Sequence, residues 1–331
     1  MTQAVPMTEI WRGDILESVH SGHAVVCRPD GEIVHAWGDP EAVVLPRSSS
    51  KMIQALPLVE SGAADAAGLT TQHLALACAS HNASKIHNDM VRDWLSHLGY
   101  ADEDLICGPQ EPRDIAVRDD LIRCNDPVCR VHNNCSGKHS GFLTLTKHLG
   151  ADKNYVSMDH PVQKAVLTVH EELTGETSPG YGIDGCSAPN HASTLKGMAR
   201  AMAFFAAARE GQGPRETAAA RLRDAMATHP EYVAGEGRAC TNLMRAMGHK
   251  VAIKTGAEAY FIAILPEQEL GVALKIIDGG TRAAENAIAA ILAKLGVLDP
   301  AHPEAAKYLD APIRNWDGLQ TGRMCASSAL R

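Results

Sequence analysis

The alternation of apolar and polar positions changes period twice along the chain. In the first fifty residues it is that of strands: residues 9–17 (EIWRGDILE) read as one strand, and residues 23–27 and 32–37 flank Arg28-Pro29-Asp30-Gly31. Proline there presets φ and glycine supplies a positive φ, so the two flanks are expected to form a β-hairpin. After Pro46-Arg47 the period becomes helical, with Met52, Ala55, Leu56, Leu58 and Val59 recurring behind Ser48-Ser49-Ser50-Lys51. Residues 88–98, 161–173 and 193–209 continue as helices, the last apolar enough to be largely buried, with Ser193 in the place of a helix cap. Two glycine-bearing polar stretches, 133–141 (NNCSGKHSG) and 182–191 (GIDGCSAPNH), read as loops. From Lys250 the strand period returns in residues 250–255, 259–265 and 270–277, and residues 281–295 close as an amphipathic helix.

Strands at both ends around a helical middle predict an α+β fold. One antiparallel sheet would be built from both chain ends (1–47 and 231–331), flanked by helices, with a mainly helical insertion (48–230), and the whole chain 1–331 would be a single composite catalytic domain. A hydrophobic content of 45% with 21% charged residues excludes wholesale disorder. A formal charge of -8 without a Lys/Arg cluster argues against nucleic acid as a partner. The N-terminal stretch lacks a leader pattern, and no run of eighteen apolar residues follows, so a cytoplasmic protein without membrane partners is expected. Nine cysteines, an odd number spread over the chain, fit reduced thiols better than a disulfide framework.

Chemistry enters with Lys254, set in the apolar run VAIKTGAEAYF. A lysine placed there is snorkelling, paired, or working as a tuned amine. Two further motifs precede it: Ser48-x-x-Lys51 at a helix start and Ser80-His81-Asn82 in a turn. Spacing i,i+3 brings hydroxyl and amine onto one face, where the amine can take the hydroxyl proton, and a helix N-terminus favours the developing negative charge. Chance alone yields an SxxK roughly once in a chain of this length, and Ser193-x-x-Lys196 is a second one, whereas a KTG arises in about one such chain in ten to twenty. The ordered set therefore carries more weight than any member. Arg47 beside the serine motif and Asp184 in the glycine-rich stretch are candidates to meet a charged substrate, with a surface arginine and a turn aspartate as the alternatives. His81, Asn82 and His139 are candidates to line the pocket, each equally readable as a structural polar group. Cys124, Cys129, His132, Cys135 and His139 suggest a compact zinc site, with buried thiols as the alternative because the spacings match no common zinc module.

SxxK, SxN and KTG in this order resemble the serine β-lactamase and penicillin-binding-protein superfamily and the serine-dependent glutaminases. Closer still, PRSSSK, ACASHNASKIHNDM, HNNCSGKHSGF, YGIDGCSAPNHA and IKTGAEAYF resemble the rhizobial-type L-asparaginases, the asparaginase II family or third structural class, over nearly the whole chain. The resemblance implies an L-asparagine amidohydrolase working through a seryl acyl-enzyme. Ser48 would attack the side-chain amide with Lys51 as general base, and Ser80 with Lys254 would form a second Ser-Lys tandem relaying protons to ammonia. Backbone N–H groups of Ser48 and Ala257 would hold the oxyanion. It also implies one zinc ion per chain on Cys135, Lys138 and Cys186 that does not supply the nucleophile, and a homodimer. The alternatives are a glutaminase, β-lactamase or DD-peptidase on the same scaffold, and, from another class, a non-catalytic amino-acid or zinc-binding protein.

Overall fold

The computed structural model describes residues 3–331, and the chain forms two compact units. One comprises Met1–Ser49, Ser193–Ala207 and Ala239–Arg331, the other Ser50–Ala192 and Ala208–Arg238.

The first unit is built on one antiparallel sheet. Its strands are β1 (Val5–Arg12), β2 (Ile15–Cys27), β3 (Ile33–Trp37), β4 (Ala252–Gly256), β5 (Tyr260–Leu265), β6 (Leu270–Ile276), β7 (Asp310–Arg314) and β8 (Gln320–Ala326). They run in the order β7-β8-β1-β2-β6-β5-β4, with β3 also paired to β2, so the β2–β6 ladder joins the two ends of the chain. This is the α+β arrangement that the sequence predicts, including the hairpin on residues 28–31, where Gly31 has φ +90° and its N–H reaches the Arg28 carbonyl at 3.0 Å. Residues 9–17 are not one strand. Arg12 pairs with Ile15 across Gly13-Asp14, and Gly13 has φ +55°, so a two-residue turn, too short to interrupt the alternation, folds the stretch into the β1–β2 hairpin.

β5 is buried at every position and β6 at all but Lys275, because the helix Leu195–Ala207 covers one face and the helix Thr281–Lys294 the other. A methyl group at Gly271 would run into the backbone of Ala199 and Ala203, so the glycine lets the first of these helices approach the sheet. Ser193 does not cap that helix. It lies in a two-residue strand with Thr194, paired to Val43–Val44, and the Thr194 hydroxyl accepts the Gly197 N–H at 2.9 Å instead.

In the second unit the helix Lys51–Glu60 is buried from Lys51 through Val59. It packs against the helices Thr71–Ala77, Ser136–His148, Pro161–Thr174 and Pro214–Thr228, as an element apolar on all sides must. The stretch 133–141 becomes helical from Ser136 onward rather than forming a loop. Its glycines serve packing: a methyl at Gly137 would strike the Leu76 carbonyl, and one at Gly141 would press on Leu58 at 3.2 Å. Buried Ser140 and Thr144 return their hydroxyls to the carbonyls four residues back, at 3.0 and 2.8 Å. Residues 182–191 form a short hairpin, Tyr181–Ile183 with Pro189–His191, whose tip carries Asp184 and Cys186.

His81 and His87 stack in this unit with ring centroids 4.7 Å apart. His87 Nε2 donates to the Glu231 carbonyl (2.8 Å) and Nδ1 accepts from the Ser84 hydroxyl (2.7 Å). Burial pushes its pKa down to about 4. All nine cysteines are free thiols, and among the described residues no helix is long and apolar enough to cross a membrane.

Two outcomes follow. Gly137→Ala should destabilise the protein by about 1–3 kcal/mol, because the obstacle is backbone. Gly185→Ala, with open space around it, serves as the control, and equal melting temperatures for the two variants would contradict the packing role. Between pH 6.5 and 4 unfolded His87 binds a proton that the folded protein refuses. Stability should therefore be full above about 6.5 and fall by roughly 3 kcal/mol as pH drops to 4. In His87→Gln the melting temperature should decline less steeply over that window, and an unchanged slope would assign the proton uptake elsewhere.

Candidate active site

In the first unit, Ser48 lies on the one-turn 3-10 helix Arg47–Ser50. Arg47 adopts φ +52°, a conformation that costs a non-glycine residue about 1 kcal/mol and marks a turn held by its surroundings. Part of that hold comes from β4. The Ser49 hydroxyl donates to the Lys254 carbonyl at 2.9 Å, and a methyl at Gly256 would lie 2.6 Å from the Pro46 carbonyl. The glycine of Lys254-Thr255-Gly256 thus permits the strand end to lie directly on the serine-bearing turn. Lys254 is fully buried, and its amine donates to the Thr255 carbonyl at 2.7 Å. Ala257 follows on the exposed turn into β5.

The second unit begins at Ser50, and Lys51 is the first residue of its central helix, three positions after Ser48. The Lys51 amine, 1% exposed, donates to three acceptors: the Ala79 carbonyl, the Ser80 hydroxyl at 3.0 Å and the Cys135 sulfur at 3.1 Å. Three donors meet three acceptors, which satisfies an ammonium removed from water. Ser80 is held in place by its backbone, whose N–H reaches the Val233 carbonyl at 2.9 Å.

Beyond Lys51 the polar cluster continues through sulfur. Lys138 donates to the Cys186 sulfur at 3.1 Å, and the Cys135 thiol has two acceptors, Asn134 Oδ1 at 2.9 Å and Cys186. The Cys135 hydrogen bond, followed by Lys138 and His139, holds the Cys186 thiol well below the usual range against the opposing effect of burial. The same hydrogen bond and burial push Cys135 up, so one negative charge is shared and rests on Cys186. Burial opposes the charge on Lys138, but the two sulfurs more than offset it and raise its pKa. Burial, with a smaller effect of Cys186, pushes nearby Cys107 up to about 12.

Tyr155 braces His139. Its oxygen accepts the Ile106 N–H at 2.6 Å and lies 2.9 Å from His139 Nδ1, with the Asp104 carbonyl at 3.4 Å as a further partner, and burial pushes the pKa of His139 down. Tyr155, buried and serving as the support of this ring, was not signalled by any motif.

The other sequence candidates divide. His81 uses both ring nitrogens internally: Nδ1 accepts the Ala83 N–H (3.1 Å) and Nε2 donates to Ser136 (3.0 Å). Asn82 accepts the Ser84 N–H through its side chain (3.2 Å) and the Asp114 N–H through its carbonyl (2.8 Å). Asp184 is half-buried at the hairpin tip and acts electrostatically on Lys138. The wider group Cys124, Cys129, His132, Cys135 and His139 does not gather: among the described residues no three His, Cys, Asp or Glu side chains could hold a metal. Cys124 is exposed, and Cys129 pairs with His132. Arg113 in the same unit is acted on by the charge of Arg238.

The family profile described as L-asparaginase II matches residues 8–326. A search of the curated proteins finds no match. Among solved structures, the chain is similar to a putative β-lactamase of Bacteroides dorei at 10% identity, covering 81% of this chain and 92% of that one with a TM-score of 0.44. It is also similar to a protein named Mglu in its native form (13% identity, 85% and 66% covered, TM-score 0.48). A Bacillus glutaminase gives 14% identity, 84% and 91% covered, and a TM-score of 0.37. With a profile spanning the sheet strands, both lysine motifs and the cysteine cluster, the chain belongs to the L-asparaginase II family and is an amidohydrolase.

Proposed function

We propose that the protein hydrolyses L-asparagine to L-aspartate and ammonia through a seryl acyl-enzyme, with Ser48 as nucleophile and Lys51 as its base. The observation that carries this reading is the buried Lys51 amine, bonded to the Ser80 hydroxyl and standing one turn after Ser48. Once its amine has given up a proton, Lys51 in the neutral form takes the Ser48 proton as the oxygen attacks the amide carbon, and the tetrahedral oxyanion is held by the N–H groups of Ser48 and Ala257. Ser80, working with Lys254, delivers a proton to the departing ammonia. Water then attacks the aspartyl ester, releasing aspartate and returning the proton to Ser48. Asp184 is assigned to the substrate ammonium, and Arg47 is the sequence's candidate for the α-carboxylate.

Zinc belongs to the same proposal. Two sulfurs in contact, with a lysine amine 3.1 Å from one of them and all three residues no more than 4% exposed, form a compact soft donor set that suits zinc. Cys135, Lys138 and Cys186 would hold it once the Lys138 amine had given up its proton, which a divalent ion beside two sulfurs would favour. Bound there, the ion would supply fixed positive charge near the substrate. We read the protein as cytoplasmic, in keeping with nine free thiols, and as a homodimer, as the sequence resemblance implies.

Incubation with asparagine, glutamine and a chromogenic cephalosporin tests the substrate. Ammonia should come from asparagine, and cephalosporin turnover without it would reject the reading. Ser48→Ala should lower turnover by at least about a thousandfold with the fold intact. Wild-type-like rates in that variant would move the nucleophile elsewhere. Cys135→Ala should lose bound zinc by elemental analysis and raise KM. Unchanged zinc content would reject the ligand set.

A further inference from the structure

Two arginines of the helical unit have no part in the reaction as proposed, yet the fold brings both to the Ser80 segment. Each is fixed through Asn82. The Asn82 carbonyl accepts the N–H of Asp114, next to Arg113, at 2.8 Å. The Asn82 side chain lies directly on Gly235, so that any Cβ there would collide with it, and Gly235 takes φ +104° three residues before Arg238. The Arg238 loop is tied a second time, because the Val233 carbonyl accepts the Ser80 N–H at 2.9 Å. Both loops are thus anchored to the same three residues that carry Ser80.

The charges they bring together lack an anion. Arg238 Nη1 is buried and has no hydrogen-bond partner, an expensive state for a guanidinium N–H. Burial and the Arg238 charge both act against the charge on Arg113. Cys135, itself bonded to Lys51, lies within electrostatic reach of Arg113. By contrast Arg47 already has an interaction of its own within the protein. Two like charges that act on each other, carried on loops anchored at the Ser80 segment, with one guanidinium N–H left unsatisfied, offer a place for an anion. A guanidinium pair is matched in shape by a carboxylate.

The geometry points to Arg113 and Arg238 as a paired carboxylate site that takes the α-carboxylate of the amino-acid substrate, in place of Arg47. The assignment rests on the asparagine-hydrolysing reading for its substrate. It makes the arginines specificity-determining: they admit free amino acids and reject amides whose α-carboxylate is masked.

The test compares L-asparagine with its α-methyl ester, which keeps the scissile amide and the ammonium but lacks the carboxylate. Arg238→Gln should raise KM for asparagine about 10- to 100-fold with kcat nearly unchanged, and should leave kcat/KM for the ester within about threefold of wild type. Arg113→Gln, at an exposed residue tolerant of change, should act in the same direction. Arg238→Lys should recover part of the loss. Equal losses on both substrates would show a purely structural role and overturn the assignment, as would an unchanged KM for asparagine. Calorimetric titration with L-aspartate gives a readout free of turnover: binding to the wild type should be lost in Arg238→Gln, and equal binding overturns the site. If the wild type releases no ammonia from asparagine, the hydrolase reading fails, and the aspartate titration alone decides the carboxylate site.

Discussion

The centre of the helical unit is organised by one constraint, the burial of the Lys51 amine among three acceptors. Removing such a charge from water costs several kcal/mol unless each of its protons finds an acceptor. Here the acceptors arrive from the end of the helix Thr71–Ala77, from Ser80, and from Cys135 at the start of the helix Ser136–His148. The packing glycines, the hydroxyls turned back on their own helix and the neutral stacked histidines keep those three acceptors where the amine needs them. The sulfur cluster extends the same logic by one layer, since a second buried amine, Lys138, faces the negative charge that the two thiols share.

Much of this was legible in the sequence, for physical reasons. The KTG glycine, the Pro-Asp-Gly turn and the strand period at both ends report local backbone demands, and local demands leave local marks. Ser48, Lys51 and Lys254 stood out because a serine at a helix start and a lysine in an apolar strand are individually unusual. The misreadings have a common origin. Gly137 and Gly141 look like loop residues, but their meaning is set by Leu76 and Leu58, more than fifty residues away in the chain. The turn at Gly13-Asp14 was hidden because two residues cannot break an alternation. Ser193 appeared to be a cap because sequence cannot say that Thr194 would take the position.

The site residues that sequence reasoning missed are those whose role exists only after folding. Tyr155 matters as a brace, its oxygen meeting both the Ile106 N–H and His139 Nδ1. Arg113 and Arg238 belong to unrelated stretches and meet only through Asn82. His81 and Asn82, readable from sequence either as pocket residues or as structural polar groups, use both His81 ring nitrogens and the Asn82 side-chain oxygen within the protein. Proximity in sequence to a reacting serine marks a residue as supporting it as readily as touching substrate.

The boundary between the two units falls between Ser49 and Ser50, inside the three-residue spacing from Ser48 to Lys51. The serine turn therefore belongs to the sheet unit and the lysine to the helical one, as Lys254 and Ser80 do in turn. Each unit by itself therefore holds one member of each Ser-Lys pair in the proposed mechanism, and neither fold taken alone carries a complete one.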